Sequence, residues 1–183
     1  RKTGTLKIHQ NKYIRKICER YGIAVGDTDK RPAPMCYEHY LEPPEDGETR
    51  CDQSLYRSIT GSIMYASIAT RPDVCHSVKQ LSRYLVDPTE RHLREAYKVL
   101  SYLGQTPDVG ITYSKNKYVT LDPRLTHPSN HIVGYSDASF AEDVVTRKST
   151  SGYVFVKNNG AISWAARSQS KVAHSSADSE LRA

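Results

Sequence analysis

Ile132-Val133-Gly134-Tyr135-Ser136-Asp137-Ala138-Ser139-Phe140 reads as a β-strand with one aspartate near its middle. Alternation sets Tyr135, Asp137 and Ser139 on one face and Gly134, Ser136 and Ala138 on the other. A hairpin follows: Ser151-Gly152-Tyr153-Val154-Phe155-Val156, the turn Lys157-Asn158-Asn159-Gly160, then Ala161-Ile162-Ser163-Trp164. The polar run His174-Ser175-Ser176-Ala177-Asp178-Ser179-Glu180 stands where a helix should begin. An acid on the first strand and an acid on the helix after the third strand can meet in space. Two such carboxylates could hold divalent cations against a phosphodiester.

Upstream the pattern is helical. Tyr13, Ile14, Ile17 and Tyr21 make an apolar face over about 10–21, Gly22 is placed to end it, and Lys12, Arg15, Lys16 and Arg20 lie away from it. Those cations suit a phosphate backbone and suit a solvated face equally. The stretch 25–51 is rich in Pro, Gly and acids and reads as a linker. Its acids Glu42, Glu45, Asp46 and Glu48 are expected to be solvated. Asp52 is placed to cap a helix reaching Ala69. Thr70-Arg71-Pro72-Asp73 opens the next, with Thr70 as cap and Val74, Val78, Leu81 and Leu85 as buried stripe. Asp87-Pro88-Thr89-Glu90 repeats the device before Leu93, Ala96, Tyr97, Leu100 and Leu103, with Gly104 as stop. Val109–Tyr113 and Tyr118–Leu121 read as a short hairpin, and 123–130 as a second linker.

The chain of 183 residues has room for one or two domains, and an apolar fraction of 38% argues against one large core. A net charge of +6 suits a polyanionic partner and suits a merely soluble basic protein no less. Cys18, Cys36, Cys51 and Cys75 form no Cys-x-x-Cys pair, so free thiols in a reducing compartment are expected over a zinc site. No apolar run is long enough to span a bilayer.

The C-terminal arrangement resembles the ribonuclease H domain of copia-type LTR retrotransposon polyproteins. Gly134-Tyr135-Ser136-Asp137-Ala138, Arg147-Lys148-Ser149-Thr150-Ser151-Gly152-Tyr153, Ile162-Ser163-Trp164 and Ser175-Ser176-Ala177-Asp178-Ser179-Glu180 carry the resemblance. Leu55-Tyr56-Arg57-Ser58-Ile59-Thr60-Gly61-Ser62-Ile63-Met64-Tyr65 and Thr70-Arg71-Pro72-Asp73-Val74 resemble the segment joining reverse transcriptase to ribonuclease H. The implied organisation is the end of reverse transcriptase at 1–24, a linker at 25–51, a helical connection region at 52–122, a linker at 123–130 and a partial ribonuclease H-like domain at 131–183. The implied fold class is α+β, with the helical region followed by a truncated mixed sheet: a three-strand antiparallel meander, then a helix.

The resemblance implies hydrolysis of the RNA strand of an RNA–DNA hybrid with two magnesium ions in the complete domain. Asp137 and Glu180 take the positions of catalytic metal ligands. Asp178 lies roughly 200° around a helix from Glu180 and is assigned no metal. Ser175 and Ser176 stand where similar enzymes meet the hybrid backbone, though helix capping accounts for them as well; Arg147 and Lys148 precede the second strand, where they could contact phosphate or belong to a solvated turn. Trp164, Phe155 and Val154 are expected to pack as core. Partners would be the hybrid and the rest of the Pol polyprotein, not a membrane, in cytoplasmic particles and the nucleus.

Three positions depart from the family pattern: Phe140 replaces a tryptophan, Glu142 a glycine and Leu181 an aromatic. Glu142 is expected to strain its turn or to add charge near the metals. Two further acids of the family's site, and the polymerase motif Tyr-x-Asp-Asp, do not occur in 1–183. The chain thus reads as a piece of a longer polyprotein that polymerises nothing and cleaves little by itself. A non-catalytic nucleic-acid-binding module and an inactive transposon relic are the alternatives.

Overall fold

The computed structural model describes residues 4–26, 33–35, 41–114 and 131–183. The fold is α+β, with helices earlier in the chain and most strands later. The chain divides into two compact units, Gln10–Val109, and Arg1–His9 with Gly110–Ala183. Among the described residues no helix is long and apolar enough to cross a membrane.

The first unit is helical: α1 (Asn11–Arg20), α2 (Gln53–Ala69), α3 (Cys75–Ser82) and α4 (Glu90–Gln105). Its core draws Ile14 and Ile17 from α1, Tyr56, Ile59 and Ile63 from α2, Leu81 from α3, and Val99, Leu100 and Leu103 from α4. Gly22, at φ 68°, closes α1. Ile23 N–H donates to the Cys18 carbonyl at 2.8 Å and Gly22 N–H to Glu19 at 3.2 Å, the paired bonds of a Schellman stop. Asp52 caps α2 as expected, accepting from the N–H of Ser54 and of Leu55.

The other two caps fall elsewhere. Thr70 ends α2 and donates from Oγ1 to Gln10 Oε1 at 2.8 Å, and a single 3-10 turn at Pro72–Val74 precedes α3. The reason is Arg71, which is fully buried. Its guanidinium donates to Asp73, the Thr106 carbonyl and Thr106 Oγ1, so Asp73 balances a buried cation instead of capping a helix. Asp87 pairs with Arg50 at 2.7 Å, and Thr89 caps α4 two residues later. His92 completes a capping box there in the place usually held by Glu or Gln. Gly104 lies inside α4: an added Cβ would stand 3.0 Å from Cys18 Sγ and 3.1 Å from the Ala24 carbonyl. Close packing, not helix termination, selects that glycine.

Within the expected linker the described stretch 41–51 is tied down. Tyr84 O–H donates to the Leu41 carbonyl at 2.6 Å and His92 Nε2 bonds the Glu42 carbonyl at 2.8 Å. Glu48 is not merely solvated, since its carboxyl accepts from the Arg91 guanidinium at 3.1 Å, which holds it down at about 2.

The second unit contains β1 (Thr5–His9), β2 (Gly110–Ser114), β3 (Val133–Ser139), β4 (Thr150–Lys157), β5 (Gly160–Ser168) and α5 (Ser176–Leu181). Strands β3, β4 and β5 form the expected antiparallel meander. Asn158 and Asn159, at φ 50° and 69°, make the left-handed turn that a two-residue hairpin needs. The described partner of β2 is β1, with Leu6 opposite Tyr113; the strand expected at Tyr118–Leu121 lies outside the described residues. The β1–β2 ribbon meets the β4–β5 turn. Ser114 N–H donates to the Asn158 carbonyl at 2.8 Å, and the Tyr113 hydroxyl donates to the Ala161 carbonyl at 2.8 Å. The Tyr113 ring also fills the place a Cβ on Gly160 would need.

Candidate functional site

Asp137 lies near the centre of β3, directly opposite Gly152 on β4, so no side chain faces it across that pair. It is exposed. Helix α5 packs against β3, the strand that carries Asp137. Ser175 starts α5 by accepting the Asp178 N–H at 3.1 Å. Asp178 accepts from His174 N–H at 2.9 Å and pairs with Arg182 at 2.8 Å. The Arg182 guanidinium, followed by the His174 N–H, holds its carboxyl below the usual range. Asp178 is thus engaged in closing its own helix. Glu180 is exposed.

Two exposed carboxylates on elements in contact suit magnesium in kind, since it takes hard oxygen ligands and keeps several waters. They are sparse in number: among the described residues no group of three or more His, Cys, Asp and Glu side chains could hold a metal ion. Asp137 and Glu180 are the two exposed carboxylates that these contacting elements carry, and no further ligand is assigned.

The remaining sequence-picked residues have these places. Arg147 is exposed in the left-handed region at φ 55°, and its N–H donates to the Asp143 carbonyl at 2.8 Å. Lys148 is half-buried, and Ser175 and Ser176 are exposed. The Ser176 carbonyl accepts from the Ser179 hydroxyl at 2.7 Å. Glu142 does not itself strain the turn. It is buried at 3% exposure and its carboxylate accepts from the Thr150 hydroxyl. The left-handed backbone falls instead on its neighbour Ala141, at φ 49°. Phe140 and Leu181 are both exposed. Val154 and Trp164 are cross-strand partners on one face, whereas Phe155 lies on the other face, against Tyr153 and over Gly134. The three do not pack together because strand alternation separates them.

Sequence reasoning missed the buried polar group at this end of the sheet: Glu142, Asp143, Ser149, Thr150, Gln169 and Ser179. Their residue types signal surface, and only the three-dimensional pairing gives each a partner.

Over 98% of its length the chain is 32% identical to the retrovirus-related Pol polyprotein from transposon TNT 1-94 of Nicotiana tabacum. Over 97% it is 31% identical to the corresponding polyprotein from transposon RE1 of Arabidopsis thaliana. The chain belongs to the copia-type retrotransposon Pol polyprotein family. It spans 13% and 11% of the length of those two polyproteins. It is also 39% identical, over 70% of its length, to a protein named secreted RxLR effector protein 161 of Plasmopara viticola, and covers 82% of that protein. No family model and no solved structure matches the chain. In this copia-type chain the match to the polyproteins runs through both units, so the helical unit and the β3–β4–β5 meander are parts of one Pol segment.

Proposed function

We propose that this copia-type Pol segment supplies two carboxylates, Asp137 and Glu180, to a magnesium-dependent ribonuclease H site that hydrolyses the RNA strand of an RNA–DNA hybrid. The observation that carries this reading is the packing of α5, with exposed Glu180, against β3, with exposed Asp137. When bound, magnesium would lower the pKa of the attacking water and stabilise the leaving oxygen. The role of this chain is to set the two carboxylates: β4 fixes β3 in register through Gly152, and the Ser175 cap fixes where α5 begins. The remaining ligands and the polymerase chemistry would come from elsewhere in the polyprotein, which is the second partner beside the hybrid. The test is hybrid cleavage by polyprotein containing this segment. Asp137→Asn should lower the rate by more than about a hundredfold, beyond the 10–100-fold typical of losing an outer-shell partner. Unchanged cleavage would sink the reading.

A second reading, binding without cleavage, rests on the helical unit. Lys12, Lys16 and Arg20 recur every fourth residue of α1 and are exposed. They flank the row Tyr13, Ile17 and Tyr21, whose tyrosines reach Ser58 and Ser62 of α2. Beyond that seam α2 shows Ser54, Ser58, Gly61 and Tyr65 to solvent. A cationic row beside a low helix face fits a duplex backbone. Each phosphate contact contributes about 0.9 to the slope of log affinity against log salt, so Lys12→Ala, Lys16→Ala and Arg20→Ala together should flatten that slope by about 2.7. A slope unaffected by the triple change would remove α1 from the interface.

A further inference from the structure

Gln169 follows the end of β5 and is 8% exposed. Its Nε2 donates to Ser151 Oγ at 2.9 Å and to the Ser179 carbonyl at 2.9 Å. Ser151 is the β4 residue opposite Ala138, the neighbour of Asp137. The Ser179 carbonyl belongs to the peptide bond that leads into Glu180. The two hydrogens of one amide therefore tie the β3–β4 pair, from the face opposite Asp137, to the backbone that bears Glu180. The Gln169 main chain is itself fixed, since its N–H donates to the Ser149 carbonyl at 2.8 Å.

The amide is held at a cost. Gln169 Oε1 is buried and accepts no hydrogen bond among the described residues. A leucine or methionine of like volume would fill the site without that desolvation loss. What an apolar side chain cannot do is donate to Ser151 and Ser179 together. Beyond its Ser175 cap and its packing on β3, α5 has little to fix it. It is six residues long, and Ser179 is its only buried residue. So short a helix gains little from its own hydrogen bonds and takes its position from tertiary contacts.

We propose that Gln169 is a positioning residue that sets the distance between Asp137 and Glu180 by clamping the Ser179 carbonyl to β4. The proposal rests on the reading of Asp137 and Glu180 as joint metal ligands. Gln169 touches neither metal nor substrate; it acts through the backbone before Glu180. Outer-shell groups of this kind change metal affinity about 10–100-fold when removed.

The experiment is a Mn2+ titration of the 15N-labelled 183-residue chain, read as paramagnetic broadening of backbone amides. In the native chain the amides of 136–138 and 179–181 should broaden together at low Mn2+. In Gln169→Glu, which keeps the shape and loses both donors, 136–138 should still broaden. The amides 179–181 should need about tenfold more Mn2+. Ser151→Ala, which removes one of the two anchors and leaves the sheet backbone intact, should give a smaller shift in the same direction. Both sets broadening together in Gln169→Glu would overturn the positioning role while leaving the metal reading intact. Broadening at neither set in the native chain would overturn the metal reading and this proposal with it. Loss of dispersion across the β3–β4–β5 amides in Gln169→Glu would make Gln169 a determinant of the fold, not of the Asp137–Glu180 distance, and would also overturn it.

Discussion

The helical unit and the strand unit of this chain bury different things. In the helical unit Ile14, Tyr56, Ile59, Ile63, Leu81, Val99, Leu100 and Leu103 are inaccessible to solvent. Among the described residues of the strand unit the buried hydrophobic ones are Ile111 and Ala173, while Glu142, Asp143, Ser149, Thr150, Gln169 and Ser179 are buried as well. One unit is held by apolar area, which is non-directional and tolerates repacking. The other is held by ladder and side-chain hydrogen bonds, which are directional and fix geometry at little net gain in stability. The proposed metal site, which would need two carboxylates at a set distance, would gain more from the second kind of support.

The largest effect that tests this contrast is a pair of truncations. Leu100→Ala removes a fully buried side chain and should cost about 2–5 kcal/mol in unfolding free energy, the range for such changes in cores. Phe155→Ala, at 42% exposure, should cost less than about 2 kcal/mol, well below the 3–5 of a buried aromatic. Chemical denaturation of both variants checks this. Equal costs would mean that the Phe155 face of the sheet is a core after all.

How much of each unit is legible in the sequence follows the same division. Helix periodicity marks Ile14 and Ile17, Val78 and Leu81, and Leu100 and Leu103, because an apolar stripe is a local signal. The meander is legible too, through strand alternation and the Asn158-Asn159-Gly160 turn. Caps are less so: Thr70 and Asp87 both have cap chemistry, and each is taken by a distant partner, Gln10 and Arg50. Strand β1 escapes because its partner β2 lies about a hundred residues on, and no local pattern encodes that pairing. At the site, Asp137 and Glu180 are visible as residue types at suggestive positions. Gln169 is not, since nothing in Ser168-Gln169-Ser170 separates it from a surface loop.

A second, intermediate effect concerns pH and belongs to the helical unit alone. His92 Nδ1 accepts the Thr89 N–H at 3.0 Å, so its proton sits on Nε2, which donates to the Glu42 carbonyl. Protonating Nδ1 would set two donors against each other. Burial pushes the His92 pKa down and nearby Arg91 and Arg50 add to it, while the Glu42 carbonyl and Glu48 oppose it. With the folded pKa below the unfolded value of about 6.5, the unfolded chain binds the proton first as pH falls. The stability from neutral His92 is present in full above that value and is lost as pH drops through the folded pKa. The slope of denaturation midpoint against pH below about 6.5 should shrink in His92→Gln, which keeps an acceptor for the capping box. Glu48, held low by Arg91, is protonated first in the unfolded chain near the ordinary value of about 4.3, so its own loss of stability begins there and the His92 slope is read above about pH 5.

The smallest effect is the sharpest, because it should carry opposite signs in two measurements. Gly61 lies inside α2, where glycine costs roughly 0.5–1 kcal/mol relative to alanine. Nothing among the described residues requires it: a Cβ at Gly61 meets no atom within 4 Å, and its φ is not in the left-handed region. A residue that weakens its own helix, with no internal neighbour to accommodate, points outward for its explanation. Its neighbours on the exposed face of α2 are Ser58 and Tyr65, the face proposed above to meet a duplex backbone. Gly61→Ala should therefore raise the unfolding free energy by about 0.5–1 kcal/mol while weakening duplex binding. A gain in stability with unchanged binding would return Gly61 to the plain solvated surface and leave α1 to account for any affinity alone. A loss of stability would show that the backbone at Gly61 is constrained within the helical unit itself.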